Sequence, residues 1–425
     1  MGLVNHAQHT SAEKIAAWKY DVELISSSRY VVNNEQLFCD DQNRLWVKVL
    51  LNFGENTDAY HARSKIIVIV SEDFGVTWRV SQIPWPGPSH DQSILPDGTI
   101  VETGTHYWQR HPRSQIATLE EKGFYVWDLG KEANYCAILF DMWVRQSKDD
   151  GNTWQAFPVH EQFGFFSRLA VNSPPRQNLL TDGTLVTFAH GYRPDKRTSQ
   201  SDLGGQNSPF ILRSQDAGKT WQMIAMADGS HSPSPRGFNE IYPVVRPDGH
   251  IFAMLRTALA TQSFTVSSRD GGVTWSMPQP TPIFAKHPNP TELADGTIVC
   301  SYQRRTAPPF GVRARFTQDA GVTWSEETVL RADVQIADGL VQPITVEMSD
   351  GTLFTIFSAN KILESGGRQS FLGGTRWTRN HEPLQHVMKL RKQIAVRGSW
   401  SPSFALPPLK PRYNARDGAE SPWAE

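Results

Sequence analysis

Glu240 and Arg256 stand near the two ends of NEIYPVVRPDGHIFAMLRT, a stretch of short apolar runs broken at Asp248-Gly249. Asp-Gly between alternating apolar residues is a strong hairpin signal. Counting outward from that turn sets Glu240 beside Arg256 at the far end of two antiparallel strands. A carboxylate next to a guanidinium has two uses. As a strut, an exposed cross-strand ion pair is worth at most about 1 kcal/mol. As machinery, the carboxylate moves protons while the guanidinium grips a substrate anion. Spacing alone favours neither.

Other residues able to do chemistry gather in a few short segments: Asp58, His61 and Arg63; His90 and Asp91; His106, Tyr107, Arg110 and His111; Arg168 and Arg176; His190, Tyr192 and Arg193; Arg236; His287; and Arg304 with Arg305. Polar loops expose such residues anywhere, and solvation alone accounts for many of them. The sharper reading is a funnel of arginines and histidines for an acidic ligand, such as a carboxylated or sulfated sugar. A formal net charge of −1 over 425 residues makes that local richness distinctive and gives no electrostatic case for nucleic acid or an anionic membrane surface as partner.

Two interleaved repeats supply the elements that would gather these segments. Five boxes of the form Ser/Thr-x-Asp-x-Gly-x-Thr-Trp begin at Ser71, Ser147, Ser214, Ser268 and Thr317. The hydroxyl and carboxylate suit capping of turn N–H groups, the glycine a positive φ, and the tryptophan an apolar plug expected to be mostly buried. Between the boxes, Asp-Gly turns break paired strands at Asp97, Asp182, Asp248, Asp295 and Asp350, with a degenerate version around Asn43. One turn and one box make four antiparallel strands, a propeller blade. Six turns predict an all-β, six-bladed β-propeller over residues 25–400. Residues 1–24 read as an N-terminal arm, helical or disordered, and 401–425 as an irregular tail. GGTRW at Gly373 reads as a worn sixth box. If turns and boxes share one rim of each blade, the chemistry-bearing segments fall on the other.

The periodicity outweighs a length that would otherwise suggest two or three domains. No run of about 18 apolar residues occurs, and the N-terminal stretch lacks an apolar core of signal-peptide type, so a cytoplasmic chain is expected, with secretion the alternative if the sequence is a trimmed mature form. Cys39, Cys136 and Cys300 are too widely spaced for a zinc site or disulfide framework and read as buried thiols. No Gly-rich phosphate loop, His-Glu-x-x-His or Gly-x-Ser-x-Gly elbow is present, and the boxes offer too few oxygens for calcium. Neither metal nor cofactor is expected.

Over residues 25–380 the boxes resemble those of the sialidase superfamily, also called Asp-box or BNR-repeat proteins. The resemblance implies a carbohydrate ligand, although hydrolases, lyases and non-catalytic binders all carry these boxes. In the family's sialidases a Glu and an Arg of the carboxylate-binding triad end one hairpin, which Glu240 and Arg256 match; an acid/base Asp precedes the first box, and Asp58 is the nearest match. Departures are equally informative. No Arg-Ile-Pro occurs in ISSSRYVVNNEQLF, where Arg29 is the nearest arginine, and ADGLVQPITVEMSDG places Gln342 where the family's nucleophilic Tyr would stand, with Ser358 at its partner Glu. The third triad arginine falls among Arg304, Arg305 and Arg313.

Loss of that Tyr predicts background activity on a sialic-acid aryl glycoside. Three readings remain: an exo-acting glycoside hydrolase on another, acidic sugar; a uronate-directed polysaccharide lyase using His90, His106 or His111 with a Tyr; and a non-catalytic binder. The hydrolase reading gives acid/base roles to Glu240 and Asp58 or Asp91, and substrate contacts to Arg256, Arg304, Arg305, Arg176, His90, His106, Tyr107 and Gln342. Carboxyl groups about 5–5.5 Å apart would imply retention, and about 6.5–9.5 Å inversion. Glu240→Gln is expected to cut turnover by about 10²-fold or more while barely moving thermal stability.

Overall fold

The structure, a computed structural model, describes residues 14–379 apart from 16–18, 28–29, 54–63, 88–90, 106–108, 122–125, 129–133, 139–141, 159–169, 172–176, 192–205, 258–261 and 338. The fold is an all-β, six-bladed β-propeller of four-stranded antiparallel blades. The chain divides into two compact units, one formed by residues 1–54, 65–85 and 291–409 and the other by 55–64, 86–290 and 410–425. The first holds the blades turning at Asn43, Asp295 and Asp350, and the second those turning at Asp97, Asp182 and Asp248.

Strand order within a blade follows the repeat. In the Asp248 blade, Phe238–Val245 and Ile251–Thr257 flank the Asp-Gly turn, and Gln262–Ser268 and Gln279–Phe284 flank the box. Turn and box therefore share one end of the blade, and the connections between strands two and three run at the other. In the Asp97 blade that connection carries a three-stranded sheet of Gln109–Pro112, Val126–Asp128 and Tyr135–Ile138 with the one-turn helix Ile116–Glu121.

The five boxes are built alike. In the Ser268 box, the Ser268 hydroxyl donates to Asp270 Oδ1 (2.8 Å) and accepts from Gly272 N (2.9 Å). Thr274 gives its amide to Asp270 Oδ1 (2.9 Å) and its hydroxyl to Oδ2 (2.6 Å), and Trp275 Nε1 donates to the Gly272 carbonyl (3.0 Å). The same Trp-to-Gly bond closes the boxes of Trp78, Trp154, Trp221 and Trp324. Two successive residues take positive φ in every box, such as Ala217 (63°) and Gly218 (86°), so the residue before the glycine shares the left-handed turn. The glycine has a second reason to lack a side chain: a Cβ on Gly75 would lie 2.3 Å from Phe354, and one on Gly272 2.4 Å from Ile211, both on the preceding blade. These boxes thus wedge one blade onto the last. Trp78 and Trp221 are buried, whereas Trp154, Trp275 and Trp324 are half-buried, a more open arrangement than a uniform plug.

The N-terminal boundary and the sixth box need correction. Lys19–Ser27 is a strand that pairs with Arg368–Trp377 and supplies the fourth strand of the Asp350 blade, so residues 19–24 belong to the propeller. Lys14–Ile15 adds in parallel to Thr328–Val329. Gly373–Trp377 is ladder, not turn, and Trp377 is fully buried with Nε1 donating to Thr355 Oγ1 (2.9 Å). Strand closure from the N-terminus removes the need for a box there. The proposed tail lies outside the described residues.

Candidate functional site

In the Asp248 hairpin the register runs Ile241↔Leu255 and then slips, with Phe238 opposite Thr257. This bulge lies at Asn239 and Glu240, where re-aiming a side chain is the usual consequence. Glu240 Oε1 pairs with Arg256 Nη1. Oε2 receives two further groups: the Tyr242 hydroxyl donates to it at 2.7 Å, and His287 Nδ1 lies 3.1 Å away. Tyr242 Oη and His287 Nδ1 are themselves 2.6 Å apart, with the rings edge to face at 88°. The phenol has one proton and gives it to Glu240, so the short contact to His287 is made by Nδ1–H donating to the phenol oxygen.

Burial pushes the Glu240 carboxyl up, but His287, Arg256 and Tyr242 together pull it well below the usual carboxylate range. The group is ionised near neutrality. Its side chain keeps 27% exposure, against 12% for Arg256 and 11% for His287, so the carboxylate is the most open member of the cluster. His287 holds a left-handed backbone (φ 49°), a strained conformation for a non-glycine residue and a frequent mark of working sites. Behind them lies His190 on Leu185–Gly191; burial lowers it to about 4, so it is neutral, and Asn207 Nδ2 donates to its Nδ1 at 3.2 Å, leaving the proton on Nε2.

All five side chains belong to the second unit. The hairpin count located Glu240 and Arg256, and the opposite-end list held His190 and His287. Tyr242 was missed. Strand parity was the available signal, since residues i and i+2 share a face.

The remaining expected site residues divide three ways. Asp58, His90, His106, Tyr107 and Arg176 lie outside the described residues. Asp91 precedes the strand Gln92–Ile94, its carbonyl accepting from Thr103 N, and among the described residues no ion pair reaches its carboxylate. Arg304, Arg305 and Gln342 are half-buried in the first unit, where Arg304 lies 3.8 Å from Glu327 and Gln342 takes φ 37°. Arg313 is fully buried, bonded to the carbonyls of Pro309, Val312 and Arg331, with Nε 3.4 Å from Glu327 Oε1. Among the described residues no group of His, Cys, Asp and Glu could hold a metal ion. Cys136 and Cys300 are buried free thiols and Cys39 is half-buried.

A family model for a BNR repeat-like domain matches residues 123–289, the segment that contains this hairpin and three of the five boxes. Over that segment the chain is similar to BNR-repeat proteins. A protein of unknown function from Dyadobacter fermentans has a similar solved structure, with a TM-score of 0.61 at 22% identity over 86% of this chain and 99% of that one. Trypanosoma rangeli sialidase in complex with the inhibitor DANA aligns at 13% identity over 90% of this propeller chain and 62% of its own, with a TM-score of 0.47. A mutant α-L-arabinofuranosidase of Fusarium graminearum aligns at 11% identity over 84% and 97%, also with a TM-score of 0.47. The propeller chain spans less than two thirds of the sialidase's length. No curated protein matches the sequence.

Proposed function

We propose that this protein is an exo-acting glycoside hydrolase on an acidic sugar other than a common sialic acid. The observation that carries the reading is the convergence of Arg256, Tyr242 and His287 on the partly open carboxylate of Glu240. A strut needs one partner; three donors of different kinds around one carboxylate make a charged, oriented site. Arg256 holds the substrate anion. Glu240, held ionised, sets its negative charge beside the positive sugar-ring transition state and orients the Tyr242 hydroxyl, which His287 N–H also fixes. A second carboxyl, Asp58 or Asp91, donates its proton to the leaving oxygen as the glycosidic C–O bond breaks, and water then adds to the anomeric carbon and returns a proton to that carboxylate.

A second reading, a uronate lyase, is favoured by one specific feature. With its Nδ1–H turned to the Tyr242 oxygen, His287 offers Nε2 as a base for removing a proton alpha to a carboxylate while Arg256 neutralises that carboxylate. The test is a panel of acidic oligosaccharides read by released reducing sugar and by absorbance of an unsaturated uronate, with wild type and Glu240→Gln. Hydrolysis gives reducing sugar without absorbance, and the variant loses about 10²-fold or more of turnover. Unsaturated product selects the lyase, and silence on both channels with binding retained selects a binder. Robust cleavage of a sialic-acid aryl glycoside overturns the substrate assignment.

A further inference from the structure

The first unit contains a cavity of about 260 Å³ whose chemistry no part of the proposed reaction uses. It lies between the outer strand Lys19–Ser27 of the Asp350 blade and the chain following Thr328–Val329 of the Asp295 blade. Its charged walls are held in fixed pairs. Arg331 forks onto Asp333 through Nε (2.7 Å) and Nη2 (2.5 Å), and Lys361 Nζ reaches Glu23 Oε2 at 2.8 Å. Asp21 is pinned by the Thr375 hydroxyl (2.7 Å) and by Lys19 Nζ (2.7 Å). Gln335 accepts from Ile362 N through Oε1 (2.7 Å), which fixes the amide plane and turns its NH2 group away from that bond.

Each of the three lining carboxylates has its own cation, Arg331 for Asp333, Lys361 for Glu23 and, reaching in from outside the lining, Lys19 for Asp21, so the cavity carries little charge preference. A carboxylate has about four acceptor positions and an ammonium three donors, so Asp21, Asp333 and Lys361 can meet a ligand's hydroxyls beside the pairs they hold. Donors and acceptors therefore alternate around a space smaller than the roughly 300–1,000 Å³ typical of drug-sized ligands. Val22, Val334 and Phe371 add an apolar floor. Groups locked by one another lose little freedom when a ligand arrives, which is the condition for binding a strongly hydrated small molecule. Alternating polar groups over an apolar floor match the hydroxyl edges and C–H face of a sugar ring.

We infer that this cavity is a second carbohydrate site, accepting one neutral sugar ring by paired charged residues, separate from the Glu240 cluster. The experiment titrates intact protein with methyl galactoside, methyl glucoside and N-acetylglucosamine, with glucuronate and glucosamine as charged controls, by calorimetry and saturation-transfer NMR. At least one neutral probe binds with a millimolar dissociation constant and outcompetes its charged analogues. Lys361→Met and Asp333→Asn each weaken it about tenfold or more, equivalent to about 1.4 kcal/mol, with cooperative melting retained, while Glu240→Gln leaves it unchanged. Should Lys361→Met not fold, Asp333→Asn, whose side chain is 61% exposed, carries the test. Absence of binding by all three neutral probes, preference for a charged analogue, or loss of binding in Glu240→Gln with retention in Asp333→Asn overturns the inference.

Discussion

Asp270 and Glu240 sit at opposite ends of one blade, and both are carboxylates held below their ordinary range. Burial is the largest single influence on the Asp270 carboxyl and pushes it up, but the Thr274 hydroxyl and amide and the Ser268 hydroxyl together overcome it and hold it at about 2. Every one of those partners lies within four residues. Glu240 feels a much heavier burial and is pulled down by His287, Arg256 and Tyr242, partners drawn from two strands and a connector. The box carboxylate builds a turn that any copy of the motif can build alone. Glu240 depends on the tertiary fold, and that dependence is what makes it a site.

The sharpest separation of the two ends comes from paired substitutions that should move stability at one and turnover at the other. Trp78→Ala empties a 5% exposed position packed 5.7 Å from the Phe354 ring and should cost about 3–5 kcal/mol in denaturant melts, with Trp154→Ala, only half-buried, costing clearly less. Equal costs would mean that the boxes plug uniformly after all. Neither substitution should alter turnover per folded molecule.

Tyr242→Phe acts at the other end. It deletes the donor to Glu240 and the acceptor of His287, and turnover should fall by about 10²-fold or more, while stability drops by only about 0.5–1.5 kcal/mol for the lost hydrogen bond. Unchanged kcat would return Tyr242 to the status of a core residue. Arg256→Lys keeps the charge but loses the planar fork, so KM for an acidic substrate should rise about tenfold with a smaller change in kcat, a contrast that steady-state kinetics on acidic and neutral analogues resolves.

Glu240→Gln also needs a revised stability expectation. The hairpin count alone allowed an exposed pair and an unmoved melting temperature. With Arg256 only 12% exposed, loss of the charge leaves a largely buried guanidinium on a weaker acceptor, at about 1–3 kcal/mol.

The smallest effect belongs to the box. Because the folded Asp270 value of about 2 lies below its ordinary 3.8, its contribution is complete above roughly pH 4 and fades as pH falls towards 2. Asp270→Asn should therefore flatten the acid side of the melting curve and change little at pH 7. A parallel offset at all pH values would show that the turn needs the side-chain shape and not the charge.

These contrasts also explain what was legible in the sequence. Boxes and Asp-Gly turns are solved by neighbours in the chain, so their spacing revealed six blades. Glu240 faces Arg256 across one short hairpin, still within reach of counting. His287 meets Glu240 from 47 positions away, after a whole hairpin and box, and no local pattern encodes that meeting. Residues 19–24 looked like part of an arm for the same reason, since the partner strand of Lys19–Ser27 begins at Arg368. Arg313 looked available because sequence does not show the three carbonyls that enclose it.

The central claim is that Glu240 is an ionised carboxylate clamped by three donors. Side-chain ¹³C NMR of glutamate-labelled protein, assigned by Glu240→Gln and titrated with acid, measures this directly. The Glu240 carboxyl should stay ionised well below its ordinary value of 4.5, and Tyr242→Phe should raise its midpoint. A midpoint at or above 4.5 in the wild-type protein would contradict it.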